Sequence, residues 1–196
     1  MGKLKRKKTT LEGVFLLEPT VFRDSRGFFL ESYNKMEFEE LGIFDTFVQD
    51  NLSSSARGVL RGLHFQREHA QVKLVRVLKG KIFDVVVDIR EGSPSYGNYE
   101  GFYISDVDQK LLYVPIGFAH GFMALVDDTE VMYKVSDYYD PQSDAGIIWN
   151  DPALGIAWPL ESIAIKTPTV SSKDTMLPQI NQINSPFIYP RWVIRP

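Results

Sequence analysis

Apolar and polar residues alternate in short runs through the middle of this chain, and residues typical of turns separate the runs. Alternation with a period of two places successive side chains on opposite faces of a strand. The pattern predicts strands over residues 58–65, 72–78, 82–89, 99–104, 111–114, 121–125 and 131–136. Many short strands in this arrangement are typical of a β-sandwich or barrel. We therefore expect an all-β fold.

Turn residues predict how some of these strands connect. Gly80 stands between two lysines and joins two of the runs, which predicts a hairpin because glycine supplies the backbone freedom of a tight turn. After Pro141 the alternation ends and prolines recur. We expect loops and short helical turns packed on the barrel there, rather than a second domain.

The segment before residue 58 predicts a strand over residues 28–33 and a short helix over residues 35–41. Asn34 can cap this helix, Glu37 stands three residues later as in a capping box, and Gly42 follows its end.

Three side chains are out of place on apolar strand faces: Lys73, Tyr133 and His64. Each has an ordinary explanation, since a lysine can lie on a sheet edge, a tyrosine can pack, and a histidine can be hydrogen-bonded in a core. Together they provide a cation, a phenol and a base, the groups needed for proton chemistry beside a carbonyl. Strict alternation puts Arg61 and His64 on opposite faces, so a cavity that holds both requires a break, and Gly62 predicts a bulge.

The composition fits one domain without cysteine. The chain has 196 residues, 44% of them hydrophobic, which is enough for a sizeable core. The absence of cysteine excludes disulfides, a thiolate nucleophile and a cysteine metal site. The net charge of -3 does not indicate nucleic acid as a partner. No apolar run has the length of a signal peptide core or a membrane span, so we expect a cytoplasmic protein.

The predicted organisation has three parts. Residues 1–10 form a basic tail with no assigned function, residues 11–180 form the domain, and residues 181–196 form a C-terminal extension.

Several motifs then resemble one enzyme family in the order in which that family has them. They are DSRGFFLE at 24–31, QDN at 49–51, GVLRGLHFQ at 58–66, KLVRV at 73–77, VPIGFAHGF at 114–122, YKVSDYY at 133–139, WNDP at 149–152 and SKD at 172–174. This ordered set, spread over residues 11–180, is similar to the dTDP-4-dehydrorhamnose 3,5-epimerase family. The resemblance implies a cupin-type jelly-roll β-barrel with short peripheral helices, and a homodimer that exchanges strands.

The resemblance also implies a reaction. The substrate would be the nucleotide sugar dTDP-4-dehydro-6-deoxy-D-glucose, inverted at carbons 3 and 5 to dTDP-4-dehydro-L-rhamnose in dTDP-rhamnose biosynthesis. His64 would be the base and Asp174 would orient it. Lys73 would steady the enolate oxygen, and Tyr133 would return a proton from the other face. No metal, no redox cofactor, no nucleic acid and no membrane partner are expected.

Substrate-binding roles carry over by the same resemblance. Tyr139 matches the ring that stacks on thymine, and His120 matches a second histidine of the sugar site. Asp144 stands near the nucleotide, where the family more often has glutamate. The positions that match residues holding the sugar and diphosphate are Arg26, Glu31, Gln49, Asn51, Arg61 and Lys173. Phe65 replaces the family's usual tyrosine, and a valine–serine pair follows Tyr133 and Lys134 where threonine is more usual.

Two other classes of function compete with this interpretation. Pro115, Gly117 and His120 fit the second motif of metal-dependent cupins, such as dioxygenases or isomerases, but such a site would require all three histidines, His64, His69 and His120, to converge. A sugar-nucleotide binding module without catalysis is the other alternative. The sequence leaves open single against double epimerisation and thymine against uracil, and His69 matches no motif.

Overall fold

Two β-sheets face each other and enclose most of the core. The computed structural model describes residues 4–189. Its strands are β1 Lys5–Lys8, β2 Phe15–Glu18, β3 Phe22–Asp24, β4 Gly27–Phe29, β5 Gln49–Ser55, β6 Leu60–Gln66, β7 Lys73–Lys79, β8 Lys81–Asp88, β9 Tyr99–Ser105, β10 Leu111–Val114, β11 Phe118–Ala124, β12 Thr129–Val135 and β13 Asp144–Gly146. The predicted all-β jelly-roll class is confirmed, and each predicted run from residue 58 onward overlaps a strand, with bounds that differ by one to three residues at some ends.

The sheets are antiparallel and remain separate rather than closing into one continuous barrel. One is six-stranded in the order β1-β2-β10-β7-β12-β5, and the other is five-stranded in the order β13-β6-β11-β8-β9. Strands β3 and β4 form a separate hairpin. Strands distant in sequence are therefore neighbours in space, as a jelly roll requires.

The core divides into three layers. Val75 and Val77 of one sheet and Ile82 and Val86 of the other fill the space between the sheets. A second cluster lies outside the five-stranded sheet and a third outside the six-stranded sheet. The alternation of each strand supplies one face to each layer, which is why so many strand residues are buried on both sides.

The C-terminal segment packs on the five-stranded sheet. It contains short 3-10 helices at Glu161–Ile163, Asp174–Met176 and Ile180–Gln182. The prediction of loops and short helical turns after Pro141 is confirmed apart from the short strand β13, which pairs with β6. Phe187 is only 6% exposed within the second core cluster, so part of the predicted extension over residues 181–196 belongs to the core. Residues 190–196 lie outside the described residues.

The basic N-terminal segment differs from the predicted tail. Lys5–Lys8 forms β1, which pairs with the edge of β2. This pairing satisfies backbone hydrogen-bonding groups that the edge of β2 would otherwise leave free. The Arg6 guanidinium lies 3.9 Å from the centre of the Phe15 ring, so its charge stacks on an aromatic face. Residues 1–3 of the predicted tail lie outside the described residues.

The predicted hairpin at Gly80 and the predicted length of the strand over residues 28–33 are wrong. Gly80 does not close a hairpin, because β7 pairs with β10 and β12 whereas β8 pairs with β9 and β11. It instead carries the chain from one sheet to the other, at a positive φ of 86°. The strand predicted over residues 28–33 ends at Phe29, which pairs with Phe22, the first residue of the hairpin partner β3.

The predicted helix is present as α1, Lys35–Glu40. The Asn34 side chain accepts from the Met36 backbone N–H, which confirms the predicted cap. Glu37 does not complete a capping box, because its carboxylate accepts from the Leu4 backbone N–H at 3.2 Å. Within residues 4–189, no helix is long and apolar enough to cross a membrane.

Candidate active site

A cavity of about 390 Å³ opens between the two sheets. Strands β6 and β11 form one wall, β7 and β12 form the other, and the segment around Asp174 closes one side. A cavity of this size fits a small ligand. The residues of the predicted site that line it are Arg61, His64, Lys73, His120, Tyr133, Lys173 and Asp174.

His64 and Asp174 form a hydrogen-bonded pair on the five-stranded side of the cavity. Nε2 of His64 lies 2.7 Å from Oδ1 of Asp174, and Oδ2 accepts from the Gly62 backbone N–H at 3.3 Å. Burial by itself would raise the pKa of Asp174, but the hydrogen bonds from His64 and Gly62 outweigh it and hold that pKa below its ordinary value. An ionised carboxylate can only accept, so a neutral His64 donates from Nε2 and has its lone pair on Nδ1.

Lys73 and Tyr133 lie on the six-stranded sheet, opposite His64. Tyr133 pairs with Val75 and Val135 pairs with Lys73, so the two polar side chains are diagonal neighbours on one face. Burial lowers the pKa of Lys73 to about 8, against the attraction of nearby carboxylates. Burial also raises the pKa of the Tyr133 phenol, with the charge of Arg61 opposing the shift. The phenol therefore holds its proton at neutral pH.

A break at Gly62 brings Arg61 and His64 to the same cavity. Opposite these residues the register slips, because His120 pairs with His64 but Phe122 pairs with Arg61. The predicted bulge is therefore confirmed. A Cβ at Gly62 would lie 2.6 Å from the Cα of Gly121, so the close contact of these two strands requires a residue without a side chain.

The second histidine of the cavity has a carboxylate partner that the sequence analysis missed. Nε2 of His120 lies 2.9 Å from each carboxylate oxygen of Asp84, which is fully buried. Asp84 occupies an inward position of β8 between Ile82 and Val86, two residues of the central core cluster. A charged residue at an apolar strand position is the signal that identified Lys73, and it was present here too.

Polar residues beside the cavity mouth form a connected group. The carboxylate of Asp144 accepts from the Tyr139 hydroxyl at 2.8 Å and from the Lys173 ammonium. Gln49 accepts from the Tyr139 backbone N–H at 3.2 Å and donates to Asn51 at 2.8 Å. These predicted binding residues lie together, although Gln49, Asn51, Tyr139 and Asp144 do not line the cavity itself.

Arg61 crosses the mouth of the cavity from one sheet toward the other. Its guanidinium donates to the Ser55 hydroxyl and to the Ser54 carbonyl, both on β5, at 3.1 Å. The fork is thus held at the entrance while one side remains exposed.

Two predicted binding residues are not near the cavity. Arg26 lies in the turn of the β3–β4 hairpin, with its side chain 88% exposed and paired to Asp24 at 2.6 Å. Glu31 accepts from the Asn34 side chain at 3.1 Å, beside the start of α1. A single copy of the chain therefore does not assemble every residue that the resemblance implied.

The three histidines do not converge. His69 lies on the loop after β6 with Asp137 at 3.4 Å, whereas His64 and His120 are held by different carboxylates in the cavity. Across residues 4–189, no group of three or more histidine, cysteine, aspartate or glutamate side chains is arranged to hold a metal ion. This arrangement does not favour the metal-cupin alternative.

A family model described as dTDP-4-dehydrorhamnose 3,5-epimerase matches residues 8–182 of the chain. A protein of that name from Methanothermobacter thermautotrophicus is 53% identical over 156 residues, which cover 80% of this chain and 84% of the relative. Another of that name, from Salmonella typhimurium, is 51% identical over 177 residues, covering 89% of this chain and 94% of the relative.

The fold is also similar to solved structures. A dTDP-6-deoxy-D-glucose-3,5-epimerase from Legionella pneumophila, solved in complex with dTDP-4-keto-L-rhamnose, superposes with a TM-score of 0.88 at 43% sequence identity. The superposition covers 92% of this chain and 95% of that one.

Proposed function

The chain belongs to the dTDP-4-dehydrorhamnose 3,5-epimerase family, and from this premise we propose that it inverts carbons 3 and 5 of dTDP-4-dehydro-6-deoxy-D-glucose. The product is dTDP-4-dehydro-L-rhamnose, an intermediate of dTDP-rhamnose biosynthesis. The observation that carries the proposal is the placement of a carboxylate-held imidazole and a half-buried phenol on opposite walls of one cavity.

The chemistry follows from the acidity of carbons beside a ketone. Nδ1 of His64 removes the proton, and Asp174 stabilises the imidazolium that forms. The charge that develops on the ketone oxygen is stabilised by Lys73, because a preorganised cation is most effective away from water. Tyr133 delivers a proton to the opposite face and inverts the carbon. Every step moves a proton and leaves the oxidation state of the sugar unchanged, so the reaction requires no redox cofactor.

The polar group at the cavity mouth is suited to the nucleotide part of the substrate. Arg61 and Lys173 supply positive charge for the diphosphate, whose oxygens match a planar guanidinium fork. Tyr139 offers an exposed ring on which thymine stacks, and Asp144 holds that ring through its hydroxyl. Gln49 and Asn51 line the approach, and His120 contacts the sugar within the cavity.

Arg26 and Glu31 are proposed to complete the site across a homodimer that exchanges strands. The β3–β4 hairpin exposes Phe22, Phe28 and Phe29 at 50%, 53% and 70% of their surfaces. Clustered exposed aromatic side chains of this kind are typical of an interaction surface. β5 ends its sheet with a free edge in the described part of the chain, and a strand from a second copy can pair there. This arrangement lets the partner supply the two residues.

The remaining alternatives differ from this proposal in measurable ways. A binding module without catalysis would leave the substrate unchanged, and a single epimerase would invert only one carbon. The proposed location is the cytoplasm, where nucleotide sugars are made.

Proton NMR of the 4-keto sugar nucleotide in heavy water tests the proposal. We expect wild-type protein to exchange deuterium into carbons 3 and 5 and to form the inverted product. His64→Ala should lower exchange at both carbons by about 100 to 10,000-fold, the usual contribution of a general base. Absence of exchange with wild-type protein would refute catalysis, and exchange at one carbon alone would identify a single epimerase.

A further inference from the structure

Asp84 is a charged side chain in the centre of an otherwise apolar layer. It is 0% exposed, and the flanking inward residues of β8, Ile82 and Val86, belong to the core between the sheets. A valine or leucine at this position would continue the pattern of the strand. Asp84 therefore occupies a position where a charge costs folding free energy, and its presence calls for a compensating function.

The contacts of Asp84 lead to the cavity. Both of its carboxylate oxygens lie 2.9 Å from Nε2 of His120, and His120 lines the cavity beside its cross-strand partner His64. The charges of Asp144 and Asp84 both favour the Lys73 ammonium, with Asp144 the larger influence, and Lys73 in turn favours the Asp84 carboxylate. Burial raises the pKa of Asp84, and the attraction of His120 and Lys73 opposes this shift. The carboxylate thus lies behind two groups of the reaction site without touching the cavity surface itself.

The His120–Asp84 pair has the same arrangement as the His64–Asp174 pair. Asp174 holds Nε2 of His64, and Asp84 holds Nε2 of His120, so each ring has a fixed orientation and leaves Nδ1 unoccupied by its carboxylate. The two pairs differ in access, because His64 is 33% exposed in its side chain and His120 is 8% exposed. A ring this enclosed cannot reorient by exchanging its partner for water.

We propose that Asp84 is a positioning residue for epimerisation: it fixes the His120 ring toward the sugar and supplies, together with Asp144, negative charge that favours the cationic form of Lys73 at the ketone oxygen. This inference rests on the proposed function of the cavity. Asp84 does not contact substrate, so its effect on the rate passes through His120 and Lys73. Loss of the charge weakens stabilisation of the enolate, which exists only after proton removal, and leaves binding of the nucleotide unchanged.

Asp84→Asn removes the charge and keeps the shape. We expect its rate of deuterium exchange at saturating substrate to fall about 10 to 100-fold. This is the typical loss when a residue that orients a metal-binding side chain by a hydrogen bond is replaced, and Asp84 orients His120 in the same way. Affinity for dTDP should stay at the wild-type value, because the nucleotide end of the site is unaltered.

Asp88→Asn is the matched control. Asp88 lies on the same strand with 0% exposure, but its carboxylate accepts from Arg90 and Ser93, which do not line the cavity. This variant should lower the melting temperature and keep the exchange rate per folded molecule. Asp84→Asn should lower the exchange rate per folded molecule. Any fall in its melting temperature is judged against that of Asp88→Asn, because removing one partner of a buried ion pair costs stability.

A double-mutant cycle separates positioning from a general effect on the fold. In the His120→Gln background, Asp84→Asn should have a clearly smaller effect on exchange than in wild type, since part of its action passes through that ring. Equal effects in both backgrounds, or Asp84→Asn exchange within about twofold of wild type, would overturn the inference. In either case wild-type exchange would still support the proposed function, whereas inactive wild-type protein would refute that function instead.

Discussion

His64 and Tyr133 belong to different sheets, and this separation is what inversion requires. The imidazole is held by Asp174 on the five-stranded side, and the phenol stands between Val131 and Val135 on the six-stranded side. If the base and the acid shared one wall, a proton would return to the face that it left. Proton removal and inversion are therefore separable steps with separate residues.

Replacing Tyr133 with phenylalanine removes the acidic proton and keeps the packed ring. We expect Tyr133→Phe to form the enolate and to exchange deuterium through His64, while inversion falls by about 100-fold or more. The ratio of exchange to inversion in heavy water is the measurement, with wild type as the reference. A variant that inverts as fast as it exchanges would show that another donor serves the second face.

Lys73 sets the alkaline limit of the reaction. Burial lowers its pKa to about 8, and only the charged form can stabilise the enolate oxygen. The exchange rate of the wild-type enzyme should therefore fall as the pH rises through about 8, measured by NMR with the melting temperature monitored in parallel. Activity that stays flat well above this pH would assign the oxygen contact to another group.

The same lysine costs stability, and the sign follows from its pKa. The pKa is about 8 in the folded chain and about 10.5 in the unfolded one, so the charge destabilises the fold at neutral pH, and this cost shrinks between those two values as the pH rises. Lys73→Met should abolish exchange, yet unfold at the wild-type temperature or higher near neutral pH in calorimetry. A large loss of stability would instead indicate a structural role for the ammonium group.

At the level of elements, the crossing of β6 and β11 decides the geometry of the cavity. The two strands approach so closely that Gly62 and Gly121 face each other, and the extra residue on β6 rotates His64 to the same side as Arg61. A regular strand would send one of these side chains away from the cavity. The bulge is therefore part of the reaction site.

Gly62→Ala tests this element. Its Cβ would meet the His120 carbonyl at 2.8 Å, and the backbone has a positive φ of 121°. We expect a loss of about 2–5 kcal/mol in unfolding free energy, from the strained backbone and the overlap together, and a lower exchange rate in the folded fraction. Gly155→Ala is the control, since its Cβ meets nothing within 4 Å and only the φ of 58° is strained. Similar losses in the two variants would show that the crossing tolerates a side chain.

At the scale of the whole molecule, the cavity of one chain lacks Arg26 and Glu31, so the oligomeric state of the protein decides whether the site is complete. Arg26 is exposed on a hairpin whose phenylalanines are also exposed, and it does not line the cavity. An exchange of hairpins in a symmetric dimer covers both surfaces at once. Light scattering should therefore give twice the chain mass of 22.4 kDa.

Coexpression of Arg26→Ala and His64→Ala chains tests whether the partner supplies the arginine. If Arg26 acts across the dimer, one site of each mixed dimer combines an intact His64 with an intact Arg26, and activity returns to about half of the wild-type value. If Arg26 acts within its own chain, mixed dimers should be no more active than Arg26→Ala itself. Purification through two different tags isolates the mixed species.

The sequence by itself determined the strands β6 to β12, the short helix and most of the residues that meet in the cavity. Alternation with a period of two is a local property, so it located Lys73 and Tyr133 on inward faces without knowledge of their neighbours. The break at Gly62 was also predictable, because Arg61 and His64 would point to opposite faces of a regular strand, and both were expected in one cavity.

Only the tertiary structure decided how the strands pair and which carboxylate holds His120, whereas the family resemblance had already implied Asp174 behind His64. The turn at Gly80 fits a hairpin or a crossing between sheets equally well, and the choice depends on distant strands that offer better partners. Asp84 and Asp174 are far in sequence from the imidazoles that they hold, and hydrogen bonds over such separations leave no periodic signal. The position of Arg26 outside the cavity likewise became visible only in the folded chain. The distance from the Arg26 side chain to the cavity depends on the direction in which the β3–β4 hairpin extends, and a local pattern does not contain this direction.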